Sequence, residues 1–291
     1  MLNAIKALRP KQWIKNFLLF AGIVFSHNLH NMEMLKNAVL GFVYFCFLSG
    51  AVYIINDIRD LKSDQQHPRK KYRPIASGVF PVGQAQILAI VLVLVALAGS
   101  FRINVRFGAI ALGYFIMQAT YSLFLKHLVI VDILTVAIGF VLRALAGIEA
   151  IRISGAVVPV TPWFIIVTFF LALFIIMCKR RHELLLLEKN ASDHRPVLEH
   201  YSASFIDQMI SVVTSATVIS YSMWATIGYK GSHNMIYTLP FVVYGIFRYL
   251  YIAYKKQEGG APEIVLLTDL PLLIDVILWG IAVVLLVYFE K

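Results

Sequence analysis

The run Asn56-Asp57-Ile58-Arg59-Asp60-Leu61-Lys62-Ser63-Asp64 places three carboxylates within eight positions of a chain that has only 16 acids in 291 residues. On a continuous helix Asp57, Asp60 and Asp64 fall at i, i+3 and i+7 and share one face. Carboxylates so crowded repel one another unless a cation sits among them. Mg²⁺ takes hard oxygen ligands and bridges carboxylates to substrate phosphates. The bland alternative is a solvated acidic helix end paired with Arg59 and Lys62, and the scarcity of acids in this chain weighs against it. The next stretch, His67-Pro68-Arg69-Lys70-Lys71-Tyr72-Arg73-Pro74, sets four cations in five positions. A metal cluster beside a cation cluster suits a diphosphate leaving group: metal bridges its oxygens while Lys and Arg neutralise the developing charge. Lys70 and Arg73 are the two cations assigned to that role here, against the competing explanation that the run only sets membrane topology.

The elements that must hold these residues are apolar. The chain is 59% hydrophobic and 14% charged, with mean hydropathy +0.76, against about 25% charged in a soluble domain. This composition excludes a disordered chain, argues against an ordinary cytosolic enzyme, and predicts an all-α polytopic membrane protein. Nine candidate spans are counted, at roughly 14–28, 37–56, 82–101, 106–124, 129–150, 160–178, 207–229, 235–254 and 272–289. The first is read as a retained span rather than a cleaved signal, because no small-residue cleavage site follows it. Of the 26 Lys and Arg, 18 fall on the side of the N-terminus and the two long loops, and six on the other. The positive-inside bias then places the N-terminus and loops 57–81 and 179–206 in the cytoplasm and the C-terminus outside. The same bias, with anionic headgroups, accounts for the net charge of +10, so no nucleic-acid partner is expected. Cys46 and Cys178, both in apolar runs, cannot build a disulfide framework or a zinc site.

Loops 57–81 and 179–206 follow the second and sixth spans and each opens on a burst of charge, Asn56 to Asp60 and Lys179 to Glu183. Four spans separate them. The expected architecture is therefore a single domain over 1–291, two four-helix halves plus a ninth helix, with a central cavity open to the cytoplasmic side. Asp132 and Arg143 lie eleven residues apart on the fifth span and face nearly the same way. A mid-span arginine costs about 2.5–3.5 kcal/mol on insertion scales, so it must face a cavity or a partner. Asp132 is read either as a substrate contact or as half of a structural pair. Glu183 either pairs with Lys179 four residues earlier or contacts substrate.

The pattern Asn-Asp-x-x-Asp-x-x-x-Asp followed by His-Pro-x-Lys-x-x-Arg-Pro resembles the first signature of the UbiA superfamily of intramembrane prenyltransferases. That resemblance spans essentially the whole chain and implies a Mg²⁺-bound diphosphate substrate held on aspartate-rich motifs. The second Asp-x-x-x-Asp motif that prenyl-transferring members carry after the sixth helix is missing. The chain has instead the basic loop Lys179-Arg180-Arg181-His182-Glu183-Leu184, continuing through Asp193 and Arg195 to Tyr201. Four segments are similar to the decaprenyl-phosphate phosphoribosyltransferase branch: 9–16 (Arg-Pro-Lys-Gln-Trp-Ile-Lys-Asn), 179–184, 195–202, and 262–269 (Pro-Glu-x-Val-Leu-Leu-x-Asp). Leu270 stands where a basic residue is expected.

The branch implies that phosphoribosyl pyrophosphate (PRPP) is the diphosphate donor and a polyprenyl phosphate the acceptor, a pair that needs more cations and only one metal motif. On this resemblance Asp57, Asp60 and Asp64 hold Mg²⁺ with Asn56 assisting, and Lys70 and Arg73 stabilise the leaving charge. Lys126, Lys179 and Arg180 hold phosphates. Lys15, Tyr121, Asp132, Glu183, Arg195 and Tyr201 join the substrate contacts. A bacterial inner (plasma) membrane location, a role in cell-wall arabinan precursors with 2′-epimerase enzymes downstream, and compatibility with a homo-oligomer are likewise implied by the family. The alternatives are a conventional prenyltransferase with an aromatic acceptor, which the missing second motif disfavours, and a cation transporter. Transporter sites tend to lie near the bilayer midplane, whereas these acids lie at a membrane edge.

Overall fold

The computed structural model describes residues 2–67, 70–152, 161–187, 196–228, 233–256 and 259–289. Among them every regular element is helical. In chain order they are α1 (Leu2–Ala7), a 3₁₀ segment (Pro10–Phe20), α2 (Ala21–Phe25), α3 (Met32–Arg59), α4 (Leu61–Gln66), a 3₁₀ turn (Lys70–Tyr72), α5 (Val82–Ile103), α6 (Val105–Leu123) and α7 (Val131–Ile151). Then come α8 (Pro162–Leu187), α9 (Ala203–Met223), α10 (Leu239–Tyr251) with a π-helical extension (Ile252–Lys256), α11 (Pro262–Thr268) and α12 (Leu270–Tyr288).

Seven of the nine expected spans are helices long and apolar enough to cross a membrane: Met32–Arg59, Val82–Ile103, Val131–Ile151, Pro162–Leu186, Ala203–Gly228, Asn234–Lys256 and Leu270–Tyr288. The other two are helical but different in kind. α6 has the length, yet Arg106, Gln118, Thr120, Tyr121 and Ser122 dilute its apolar character. The segment expected at 14–28 is an 11-residue 3₁₀ helix followed by the five-residue α2. Runs of 3₁₀ beyond three or four residues are uncommon. This one opens on Pro10, next to Arg9 in the left-handed region (φ 53°), and buries the polar Asn16.

Local chemistry sets the helix ends. Asn31 accepts from the Glu33 and Met34 amides and starts α3; Asn104, Ser202 and Asp269 cap α6, α9 and α12 in the same way. α3 stops at Asp60 (φ −85°, ψ 11°) and restarts at once as α4. α4 ends at His67, which takes an extended conformation (ψ 134°) as the residue before a proline does.

The helices form two compact units. The first comprises residues 1–23, 28–126 and 142–158, and the second 24–27, 127–141 and 159–291. In the first, α3 packs against α5, α6 and the 3₁₀ segment. Its core sets Phe45, Phe107 and Tyr114 against Ala96, Ala111, Ala146 and Ala150. Lipid is as apolar as leucine, so small residues that let helices approach closely matter more here than in water. The closest approach is at Gly147, where a Cβ would stand 2.0 Å from the Leu19 carbonyl oxygen. In the second unit α8 packs on α9 and α10 on α12, around Phe174, Cys178, Ile206, Ile210 and Tyr249. Exposed apolar stripes at helical spacing, such as Ile87, Ile90, Val91, Leu94 and Val95 on α5, mark faces suited to acyl chains. The chain is a multi-pass membrane protein.

Candidate active site

In the first unit, the end of α3 and the start of α4 bring the acids to the loop arginines. Asp57 and Asp64 are 2% and 3% exposed, a burial that unpaired carboxylates do not tolerate. One nitrogen of Arg73, Nη1, donates to Asp57 Oδ1 at 3.1 Å and to Asp64 Oδ2 at 2.6 Å. Arg9 Nη2 donates to the same Asp57 oxygen at 2.5 Å, and its guanidinium lies 4.9 Å from the Tyr53 ring. Asp60 is turned elsewhere. It accepts from Asn56 Nδ2 at 3.0 Å and from Lys126 Nζ at 3.2 and 3.3 Å. The break at Asp60 explains the split: the three acids do not lie on one uninterrupted helix, so only Asp57 and Asp64 converge.

Among the described residues no group of three or more His, Cys, Asp or Glu is placed to hold a metal by itself. The residues nevertheless fit Mg²⁺. Two buried carboxylates already share a single cationic nitrogen, and Mg²⁺ is commonly held by one or two carboxylates together with substrate phosphates and water.

The other expected contacts of this unit are distributed. Lys70 sits half-buried in the 3₁₀ turn whose carbonyl receives the Arg73 amide, and among the described residues its ammonium reaches none of the three carboxylates. Lys15 donates to Gln12 on the 3₁₀ segment. Tyr121 lies on the last turn of α6, beside Ser122, whose carbonyl accepts from Arg59. Arg143 is buried inside the unit: Nε donates to Asn16 Oδ1 at 2.8 Å, Nη2 to the Tyr114 hydroxyl at 2.6 Å, and the Tyr114 ring lies 4.8 Å from the guanidinium. Asn16 in turn donates to Cys46 and Ser49. Arg143 is thus an internal tie between α7, α6 and the 3₁₀ segment.

In the second unit a separate cluster surrounds Asp132, which is fully buried. Arg180 Nε donates to Asp132 Oδ2 at 3.1 Å, and Nη1 donates to Glu183 Oε2 at 2.6 Å. The Tyr201 hydroxyl donates to Asp132 Oδ1 at 3.0 Å and accepts the Ile130 amide at 2.6 Å. Ile130 has φ 68°, a left-handed conformation that is an outlier for a β-branched residue. Burial pushes the Tyr201 hydroxyl up to about 12, which keeps it protonated and donating. Lys179 stands 3.9 Å from Glu183, the pairing expected from their spacing, and Arg180 holds the same carboxylate more closely. Asp132 is paired with Arg180 and Tyr201, which fixes the orientation of the Arg180 guanidinium. Arg195 lies outside the described residues.

Sequence reasoning left Arg9 without a role and did not see the clasp around Asp269. There Arg248 donates twice at 2.9 Å, Lys256 once at 3.0 Å, and the carboxylate also caps α12. The Arg248 hydrogen bonds hold the Asp269 carboxyl well below the usual carboxylate range. The signal for Arg9 was the Arg-Pro pair; its left-handed backbone, which turns the guanidinium onto Asp57, is not readable from residue types.

Residues 17–269 match the model of the UbiA prenyltransferase family. A decaprenyl-phosphate phosphoribosyltransferase of Corynebacterium glutamicum is 34% identical, over 98% of this chain and 86% of its own length. One of Mycobacterium tuberculosis is 33% identical, over 95% and 91%. The fold is similar to that of a UbiA homolog from Archaeoglobus fulgidus solved with GPP and Mg²⁺, with a TM-score of 0.74 at 24% identity, covering 97% of this chain and 99% of that one.

Proposed function

Because this chain belongs to the UbiA prenyltransferase family, we propose that it transfers the 5-phosphoribosyl group of PRPP to a polyprenyl (decaprenyl) phosphate and releases diphosphate. The observation that carries this reading is the contrast between the charge clusters. Asp57 and Asp64 converge on Arg73 in the first unit, while the C-terminal end of α8 carries Lys179, Arg180 and Arg181 in succession where a second aspartate motif would stand. A lipid diphosphate donor with a neutral acceptor does not need such a segment. A donor with a diphosphate and a 5-phosphate, together with an acceptor phosphate, does. The names of the two relatives agree with it.

Asp57 and Asp64 would hold Mg²⁺, which supplies charge neutralisation on the departing diphosphate when bound. Arg73 and Arg9, both about one-quarter exposed, are placed to exchange carboxylate oxygens for phosphate oxygens, which guanidinium binds in the same forked geometry. Asn56 keeps Asp60 directed at Lys126, so Lys126 keeps its ammonium at the acidic cluster as a phosphate contact. Lys70 adds charge to the same loop. Arg180, oriented by Asp132 and Tyr201, binds a phosphate, with Lys179 and Glu183 at its side.

In the reaction the bond from ribose C1 to the diphosphate oxygen breaks as C1 gains oxocarbenium character, and the lipid phosphate oxygen bonds to C1 from the opposite face. The acceptor is already anionic, so no general base is needed. Lys15, Tyr121 and Arg195 remain assigned as substrate contacts. The 18-to-6 division of Lys and Arg supports an inner-membrane location with the N-terminus and both loops cytoplasmic. The product is a lipid-linked ribose phosphate, which 2′-epimerising enzymes of arabinan precursor synthesis would consume.

A two-donor assay on detergent-purified protein tests this. Ribose-labelled PRPP with polyprenyl phosphate should yield organic-phase label that EDTA abolishes. Label entering lipid only from prenyl diphosphate and 4-hydroxybenzoate would overturn the reading.

A further inference from the structure

The turn that joins α5 to α6 stands at the end of these helices remote from loop 57–81, and it carries two arginines, Arg102 and Arg106. Only six Lys and Arg fall on this side of the chain, and the positive-inside bias gives no reason to gather two of them at one corner. Both are exposed. Among the described residues neither side chain enters a hydrogen bond or an ion pair. Arg152, at the end of α7, differs from them in that Glu149 neutralises it at 2.7 Å.

The corner has a fixed base. Asn104, between the two helices, accepts from the Phe107 amide at 2.7 Å and donates to the Glu149 carbonyl at 2.6 Å, which ties the turn to α7. Across the turn the Phe101 ring lies against Gly108, where a Cβ would stand 2.4 Å from a ring carbon. Each arginine also heads an exposed face. On α5, Val91 and Val95 are exposed and precede Arg102 by eleven and seven residues, so the three share one stripe. On α6 the exposed face runs from Arg106 through Ala109 and Gly113 to Ile116. A Cβ at Gly113 would meet nothing within 4 Å, which leaves open space beside that face. Val91 lies about 16 Å along the helix from Arg102, the depth of one leaflet in a hydrocarbon core of about 30 Å.

We propose that this corner binds one anionic bilayer lipid, with its phosphate between Arg102 and Arg106 and its acyl chains along the two exposed faces. Guanidinium groups grip phosphate oxygens in a forked geometry. Two of them without counter-ions select a head that has no ammonium of its own, because a zwitterionic head brings its own cation and loses that advantage. Near α3 the cations Arg73 and Lys126 already have acids, so the corner should be the tightest site for such a lipid.

Native mass spectrometry of the full detergent-purified chain, titrated with phosphatidylglycerol and separately with phosphatidylcholine, tests the proposal without recourse to enzyme activity. The first phosphatidylglycerol should bind about tenfold tighter than phosphatidylcholine. The double variant Arg102→Gln with Arg106→Gln should weaken that binding about 30-fold, about fivefold per guanidinium; both positions are exposed, so the fold is not at risk. Lys36→Gln, which removes an exposed cation of α3 on the same side of the chain, should leave binding unchanged. Binding that is indifferent to the double variant overturns the proposal. So does equal binding of the two lipids, or an equal loss in Lys36→Gln. Displacement of the lipid by inorganic phosphate also overturns it, since the apolar faces would then contribute nothing.

Discussion

Two arginine–aspartate clusters of similar composition differ in how far their cations reach solvent. At Asp57 and Asp64 the acids are buried, but the arginines are about one-quarter exposed and come from a loop and from the N-terminal segment. At Asp132 the acid is 0% and its arginine 4% exposed in their side chains, with Tyr201 donating to the acid and Glu183 accepting from the arginine. On the proposed reading the cations of the first cluster exchange carboxylate oxygens for phosphate oxygens, whereas the buried cation of the second is held in one orientation. An ion pair alone does not distinguish a placeholder from a scaffold; the exposure of its cation does.

Substitutions should separate the two. The largest effect is expected at the placeholder: Asp57→Ala or Asp64→Ala should lower turnover by about 10³-fold or more while thermal stability in detergent changes little, because each removes a buried acid and frees an arginine that water can reach. Retention of Mg²⁺-dependent turnover in both would remove the metal assignment. Asp132→Ala should instead destabilise by about 3 kcal/mol, leaving Arg180 buried without its counter-ion; the double variant with Arg180→Met should recover part of that loss in denaturation midpoints. Arg73→Lys should raise KM for PRPP by about tenfold, since an ammonium is a point charge that lacks the planar fork matching phosphate oxygens bidentately.

The smallest effect is expected from Tyr201→Phe, at about 1 kcal/mol near neutral pH. Its pH dependence is diagnostic. The folded hydroxyl titrates at about 12 against the ordinary 10, so its contribution is whole below pH 10 and is lost as pH rises from 10 toward 12. The phenylalanine variant should lack that alkaline loss in pH-resolved melting curves.

Much of this was legible in residue types. Apolar runs placed seven spans, and spacing singled out Asp57, Asp60 and Asp64 because acids are scarce in this chain. What spacing could not show was the helix break at Asp60, which depends on one backbone angle and diverts that acid to Lys126. The 3₁₀ geometry of Pro10–Phe20 was hidden as well: hydropathy does not register a backbone that opens in the left-handed region at Arg9 and brings Leu19 against Gly147. Asp132 and Arg180 are 48 residues apart, and no local pattern pairs them. Arg143 was recognisable as needing a partner, yet its partner Asn16 lies 127 residues away in a segment read only as a membrane anchor.

The position of Arg9 has a consequence for biogenesis. A ribosome releases Arg9 48 residues ahead of Asp57, so on the proposed topology its charge is uncompensated during insertion and joins Lys6, Lys11 and Lys15 in favouring a cytoplasmic N-terminus. Only when α3 is complete does Asp57 arrive and take that charge as its own counter-ion. On that topology and the proposed reaction one guanidinium would serve first as an address and then beside the acids of the site, so a substitution there should disturb both the topology of newly made chains and the turnover of finished ones.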